Sequence, residues 1–246
     1  MIQALRNFIV RRTFAYKLRN KAMNMFSSFE NFQAIRKKAE ENRVAEGRKH
    51  EVLYFHKVDD PYSHLTVHYI EKFKDTYDVE FKPILVGEED PAALHEPSLY
   101  TDYCLEDAKR IAPYYDIDFP GTNYPEKNLV NKANSILSAV SSEEFAPLAK
   151  TVSYALWSAD SEKLEELETA YKTSEEEVLE NLKKGNEIRN NCDYYFGSAF
   201  YYEKELYWGV DRLNHLEDRL TELGVNKSSD NEPVCLLQTK APETMS

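Results

Sequence analysis

The sequence predicts an α/β fold in which a β-α-β unit and a later β-β-α unit share one sheet, with an all-helical block between them. Three stretches predict it. Val52–Phe55 is a short apolar and aromatic run that suits a buried strand, and Asp60-Pro61 behind it reads as a helix N-cap followed by proline at the first helical position. Phe200–Tyr202 and Leu206–Trp208 are two short aromatic runs on either side of Glu203–Glu205, the pattern of a hairpin. The residues from about 90 to 190 are too many for a loop and read as a helical subdomain.

Each element follows in order. Tyr62, Leu65, Tyr69 and Phe73 recur at helical spacing after Pro61, and Val67 and Ile70 widen that apolar face. Val79–Val86 is β-rich, with Pro83 marking an edge or a bulge, and Glu88–Pro97 is a loop. Ser98–Tyr115 reads as a helix and Asp116–Pro125 as a proline-rich connection. Leu129–Val140, Glu144–Ser158, Ser161–Tyr171 and Ser174–Arg189 read as successive helices, with Ser161 and Ser174 as N-caps. Asp211–Leu223 is an amphipathic helix closed by Gly224. Residues 225–246 read as a flexible, polar tail or linker. A parallel β-α-β unit with a later antiparallel hairpin and closing helix is the thioredoxin-like arrangement, here interrupted by a helical subdomain. The chain thus divides into a basic helical extension over 1–49, a domain over 50–224 and a tail.

Charge separates the extension from the rest. Residues 1–50 hold 12 Lys/Arg and 4 Asp/Glu, leaving 19 and 39 for residues 51–246, so a segment of +8 precedes a body of −20. An acidic body argues against nucleic-acid binding. Met1–Phe29 has no acidic residue and sets Arg6, Arg11, Arg12, Lys17, Arg19 and Lys21 among apolar residues, with Ile2, Leu5, Ile9 and Tyr16 near one helical face. This suits a membrane-surface helix or an organelle transit segment, and also a helical extension that packs on its own acidic body or on a partner. The apolar stretch around Asn7–Val10 is too short for a secretory signal. Glu30–Lys49 reads as a solvated helix.

With 246 residues and 42% hydrophobic content the chain can bury a sizeable core, and no apolar run approaches the roughly 18 residues of a membrane span. Its 3 cysteines, Cys104, Cys192 and Cys235, are scattered and form no C-x-x-C, which predicts a reducing, cytoplasmic compartment. A homodimer is compatible with the sequence.

Two segments carry a resemblance to a known family. Tyr54–Leu65, YFHKVDDPYSHL, matches a strand followed by S-P-Y-S or C-P-x-C. Ala199–Glu217, AFYYEKELYWGVDRLNHLE, matches T-F-F-V-x-G-E-x-F-W-G-x-D-R-L-x-x-L-E without a gap, and Pro97, Tyr103 and Asp107 match P-x-K-x-x-Y-x-x-x-D. On these residues the chain resembles the DsbA-like branch of the thioredoxin superfamily that contains 2-hydroxychromene-2-carboxylate isomerases and kappa-class glutathione transferases. The resemblance implies a glutathione-dependent type of isomerase or transferase scaffold acting on a small aromatic or carbonyl substrate. It places Asp60 and Ser63 at the catalytic positions, and Tyr62, Gly197, Ser198 and Asp211 where such proteins bind substrate or glutathione. The chain departs at three places: Asp60 stands for the working serine or cysteine, Leu99 for a glutathione-binding lysine, and Ser198 for a cis-proline. Asp211 is retained.

The departures set up the alternative, a binding or interaction module on the same scaffold that has given up glutathione. The positive end of the helix favours the charged form of Asp60. A thiolate ~4 Å away would then be repelled by about 4 kcal/mol at an effective dielectric of ~20. That exceeds the roughly 0.3–1 kcal/mol a helix terminus gives an exposed charge. A dithiol oxidoreductase is excluded, since exchange needs an attacking and a resolving thiol. Asp60 is also a simple cap, and a cis Gly197–Ser198 bond is expected to give way to trans. His56, Asp59, Asp60 and His64 crowd one loop and suit acid–base work, without metal-ligand spacing. His68 and His95 read as structural. The aromatic residues Tyr194, Tyr195, Phe196, Phe200, Tyr201, Tyr202, Tyr207 and Trp208 suit either a substrate pocket or core packing.

Overall fold

The computed structural model describes residues 14–87, 96–228 and 232–235. Parts of the extension, the loop before Pro97 with His95, and residues 229–231 and 236–246 lie outside the described residues. The chain divides into two compact units, Met1–Lys49 and His50–Ser246.

The first unit holds α1 (Phe14–Phe26) and α2 (Phe29–Ala45), the latter capped by the Ser28 side chain on the Asn31 N–H at 3.2 Å.

The second unit runs β1 (Glu51–His56), α3 (Pro61–Thr76), β2 (Glu80–Leu85), α4 (Pro97–Ile111), α5 (Lys127–Ser138), α6 (Ser142–Trp157), α7 (Ser161–Ala170), α8 (Glu175–Asn191), β3 (Ala199–Tyr202), β4 (Glu205–Trp208) and α9 (Leu213–Glu222). The four strands form one sheet in the order β2-β1-β3-β4. β1 runs parallel to β2 and antiparallel to β3, and β3 antiparallel to β4. This is the thioredoxin-like arrangement with a helical subdomain that the sequence predicts. The two residues of the hairpin turn, Glu203 and Lys204, both take positive φ (43° and 71°), as a tight turn between right-twisted strands requires.

Side chains alternate along the strands, and so does the core. Val52, Tyr54, Phe200 and Tyr202 join the main cluster with Ile70 and Phe73 of α3, Phe145 of α6 and Leu213, Leu216 and Leu220 of α9. Phe55 and Ala199 face the other way, where Ile84, Ile188 and Tyr201 pack around them. α8 reaches this side because residue 185 is glycine: a Cβ there would stand 1.8 Å from the Leu85 carbonyl oxygen. Beside it, Asn186 Oδ1 accepts from the Gly87 N–H at 2.9 Å. β2 lies at the sheet edge, as Pro83 predicts. The N–H groups of Glu80 and Val86 point at β1, on His50 O and His56 O, so the odd-numbered positions, Pro83 among them, present their edge outward.

Two expectations need correction. Ser161 is the first helical residue of α7; the cap is Asp160, whose side chain takes the Lys163 N–H at 2.9 Å. Residues 225–246 do not read as flexible where they are described. Val225 pairs with Asp78, its carbonyl accepting that N–H at 2.8 Å, and Val234 and Cys235 are buried. The polar average of the tail conceals an anchor. Glu217 of α9, itself buried, accepts the Val234 N–H at 2.5 Å and the Tyr77 hydroxyl at 3.3 Å, while Lys72 Nζ donates to Pro233 O at 2.8 Å. Burial raises the Glu217 pKa, and the Val234 and Cys235 N–H groups oppose that rise.

Candidate functional site

The junction of β1 and α3 is closed upon itself. Asp60 has extended backbone and caps α3: Oδ1 accepts from Tyr62 N–H at 3.2 Å, and Oδ2 from Ser63 N–H at 3.0 Å and from the Ser63 hydroxyl at 2.8 Å. Ser63 is fully buried, and its oxygen accepts the Lys57 N–H at 3.3 Å. The two catalytic-position residues therefore satisfy each other, and neither presents an unused donor to a ligand. Asp59 pairs with Lys57 at 3.0 Å.

Gly197 presses on this pair. A Cβ at 197 would lie 2.8 Å from Lys57 Cβ, 3.1 Å from Asp60 Oδ2 and 3.2 Å from Ser63 Oγ, so only glycine lets the chain pass so near. No peptide bond among the described residues is cis, as expected for Gly197–Ser198. The strain falls instead on Ser198, whose φ of 52° is left-handed. A non-glycine residue there costs of order 1–3 kcal/mol. Ser198 is fully buried. Its hydroxyl is 2.7 Å from the Thr66 hydroxyl, and its carbonyl accepts the Gly209 N–H at 2.7 Å.

Aromatic rings roof the junction. Tyr100 and Phe196 stack with centroids 5.2 Å apart, Phe196 and Trp208 at 5.3 Å, and Tyr62 meets Trp208 edge-on at 5.7 Å. The cavity left above Asp60 is about 50 Å³, bounded by Lys57, Tyr100, Cys104, Phe196, Gly197 and Trp208 among others. That is space for a water or two. Cys104 is buried, and burial first and the Asp60 charge second push its thiol up to about 11, so it stays protonated.

A second cavity, about 460 Å³, opens on the far side of Tyr62 and Trp208. Its walls include Tyr103, Asp107, Ile111, Tyr115 and Leu206, and Asp211 and Arg212 stand at it, paired at 2.8 Å. The Tyr62 hydroxyl donates to Asp107 Oδ2 at 2.8 Å. Burial, then that bond, raises the phenol's pKa. This volume falls within the range of ordinary ligand pockets. Sequence reasoning placed Tyr62 and Asp211 as binding residues but gave Tyr103, Ile111 and Tyr115 no such role. The signal was present: 103, 107 and 111 recur every four residues and so share one face of α4. Leu99 is exposed and lines neither cavity.

The histidines of the loop do not join Asp60. His56 is buried, its Nδ1 3.1 Å from the Tyr54 hydroxyl and its ring edge-on to Phe145; burial, then His64, pushes its pKa down to about 3. His64 donates from Nε2 to Asp118 O at 3.1 Å and accepts on Nδ1 from Ser153 at 2.9 Å, and burial lowers it to about 4. His68 falls to about 3, for burial first. The acid–base pairing expected of this loop is thus overturned: the rings point into the helical subdomain. Of the aromatic group, Phe200, Tyr202 and Tyr207 are core, while Phe196 and Trp208 line cavities. No three His, Cys, Asp or Glu side chains among the described residues are grouped to hold a metal.

The fold and this junction define a thioredoxin-like scaffold with a helical subdomain and an aspartate at the helix start. No family model matches the chain, and no curated protein does. Among solved structures it is similar to a 2-hydroxychromene-2-carboxylate isomerase, with a TM-score of 0.52 and 19% identity over 71% of this chain and 96% of that one. At that identity the likeness establishes the shared fold.

Proposed function

We propose that this chain is a binding protein on the scaffold of 2-hydroxychromene-2-carboxylate isomerases, taking a small aromatic or carbonyl compound beside Tyr62 and Trp208 and making no use of glutathione. The observation that carries this is the state of Asp60. Its carboxylate accepts three internal hydrogen bonds beneath a roof that leaves about 50 Å³. Glutathione fits these residues poorly: its sulfur would meet a carboxylate where a hydroxyl or thiol is needed, and Leu99 offers no cation. The 460 Å³ cavity supplies what a small planar ligand needs, aromatic walls with a few convergent polar groups. The unpaired thiols Cys104, Cys192 and Cys235 support a reducing, cytoplasmic compartment.

One observation favours a second reading, an isomerase or transferase using the same cavity. Tyr62, Asp107, Asp211 and Arg212 line it together, a phenol that keeps its proton, two carboxylates and a cation, the groups needed to position and polarise a carbonyl.

Trp208 fluorescence tests both. A panel of aromatic carboxylates and aldehydes is expected to quench it saturably, Trp208→Phe to abolish the response, and glutathione to leave it unchanged. Submicromolar glutathione binding by calorimetry would overturn the first reading. Turnover of a quenching compound that Tyr62→Phe abolishes without loss of binding would establish the second.

A further inference from the structure

The first unit carries a surface that the cavities do not explain. α2 buries none of its described side chains, and Leu18, Met23, Met25 and Phe29 are between 56% and 71% exposed. Leu18, Ala22 and Met25 follow at intervals of four and three and so share one face of α1. Lys17 and Lys21 border that face on one side and Arg19 on the other, and no acidic residue occurs before Glu30. In α2, Phe32, Ile35 and Ala39 repeat the interval, and the Arg36 guanidinium lies 4.3 Å over the Phe32 ring.

We propose that residues 14–45 form an interfacial element that lays this chain on an anionic phospholipid bilayer. The apolar stripe of α1 enters the boundary between headgroups and acyl chains. Lys17, Lys21 and Arg19 extend their stems along it and place their charges on lipid phosphates. Three features select a lipid surface over a protein groove. Basic residues flank the stripe on both sides, whereas the centre of a protein interface is depleted of lysine. No carboxylate among residues 1–29 is available to fix register with a partner. Residues 51–246 carry −20, so attraction to an anionic surface comes from the N-terminal segment alone. No described helix is long and apolar enough to cross a membrane, so the mode is adsorption.

The test is co-sedimentation of the full chain with vesicles of phosphatidylcholine alone and with vesicles about one-third phosphatidylglycerol. The chain is expected to sediment with the second and to be released by salt. The triple variant Lys17→Glu, Arg19→Glu, Lys21→Glu should weaken partitioning at least about a hundredfold. Leu18→Asp with Met25→Asp keeps the basic residues and should abolish binding that charge alone would have preserved. Unchanged thermal unfolding of both variants assigns the loss to the surface. Equal binding to both vesicle types, no binding, or variants indistinguishable from the parent would each overturn the proposal. So would a vesicle-free dimer that Leu18→Asp with Met25→Asp dissolves, which would assign the stripe to a second copy.

Discussion

Two carboxylates in this molecule do the same chemical task in opposite ways. Asp60 and Glu217 both accept backbone N–H groups. Asp60 draws its donors from Tyr62 and Ser63, two and three residues on, so its hydrogen bonds form with the helix itself. Glu217 draws its backbone donor from Val234, 17 positions along the chain, and one of its oxygens, Oε2, has no partner among the described residues. A local cap is fixed by local geometry; a distant clasp has to offset the desolvation of its own charge. In β1 and α3, to either side of Asp60, burial lowers the pKa of His56, His64 and His68, whereas at the clasp burial raises that of Glu217. Acid should therefore loosen one end and tighten the other.

That contrast gives the largest expected effect. His56 and His68 have folded pKa values of about 3 and His64 of about 4, below the ordinary 6.5. Their contribution is complete above pH ~6.5 and is lost as pH falls through the folded values. At about 1.4 kcal/mol per unit, buried His56 alone accounts for a loss on the order of several kcal/mol. Glu217 has the opposite sign: its raised pKa makes its contribution complete below the ordinary carboxylate value and diminished as pH rises through the folded one. Amide exchange at the start of α3 should accelerate on acidification while that of Val234 slows relative to it. Parallel changes at both sites would break the comparison.

Mutation of the clasp comes next. Glu217→Ala leaves buried N–H groups and the Tyr77 hydroxyl without their acceptor and should cost roughly 3 kcal/mol in chemical unfolding, with protease cleavage before Val234. Glu217→Gln keeps an acceptor without the charge and should lie within about 1 kcal/mol of the parent. Gly197→Ala forces a methyl group against Lys57 Cβ and Asp60, and overpacking of this kind costs about 1–3 kcal/mol. Its readout is a thermal shift together with loss of the Asp60 cap in carboxyl NMR. The smallest effect in stability belongs to Asp60→Ser with Leu99→Lys: serine still caps a helix, so unfolding should move by under about 1 kcal/mol. Calorimetry should nonetheless show tighter glutathione binding by this variant than by the parent, for which none is expected.

Much of this was legible in the sequence because it is local. Asp60-Pro61 announces a cap and a first helical turn within a few residues, and the two runs flanking Glu203–Lys204 announce a hairpin. What the sequence hid is set by contacts distant along the chain. His64 meets Ser153 and Asp118, and Ser198 meets Thr66, 132 residues away. Histidines crowded beside aspartates in one loop diverge because alternate strand and helix positions face different layers. The tail reads as polar because its short apolar run, Val234–Leu237, is outnumbered by the polar residues on either side. Val234 lies 17 positions along the chain from its acceptor, Glu217.

The outer edge of β2 limits how copies of this chain can assemble. Strand addition needs a row of outward N–H and C=O groups. Here the outward positions are Phe81, Pro83 and Leu85: the middle one has no N–H to offer, and the carbonyl of the last faces Gly185 of α8. A second molecule cannot extend the sheet from that side, by swapping or by fibril growth. Strand addition to this sheet is therefore left to its other edge, β4.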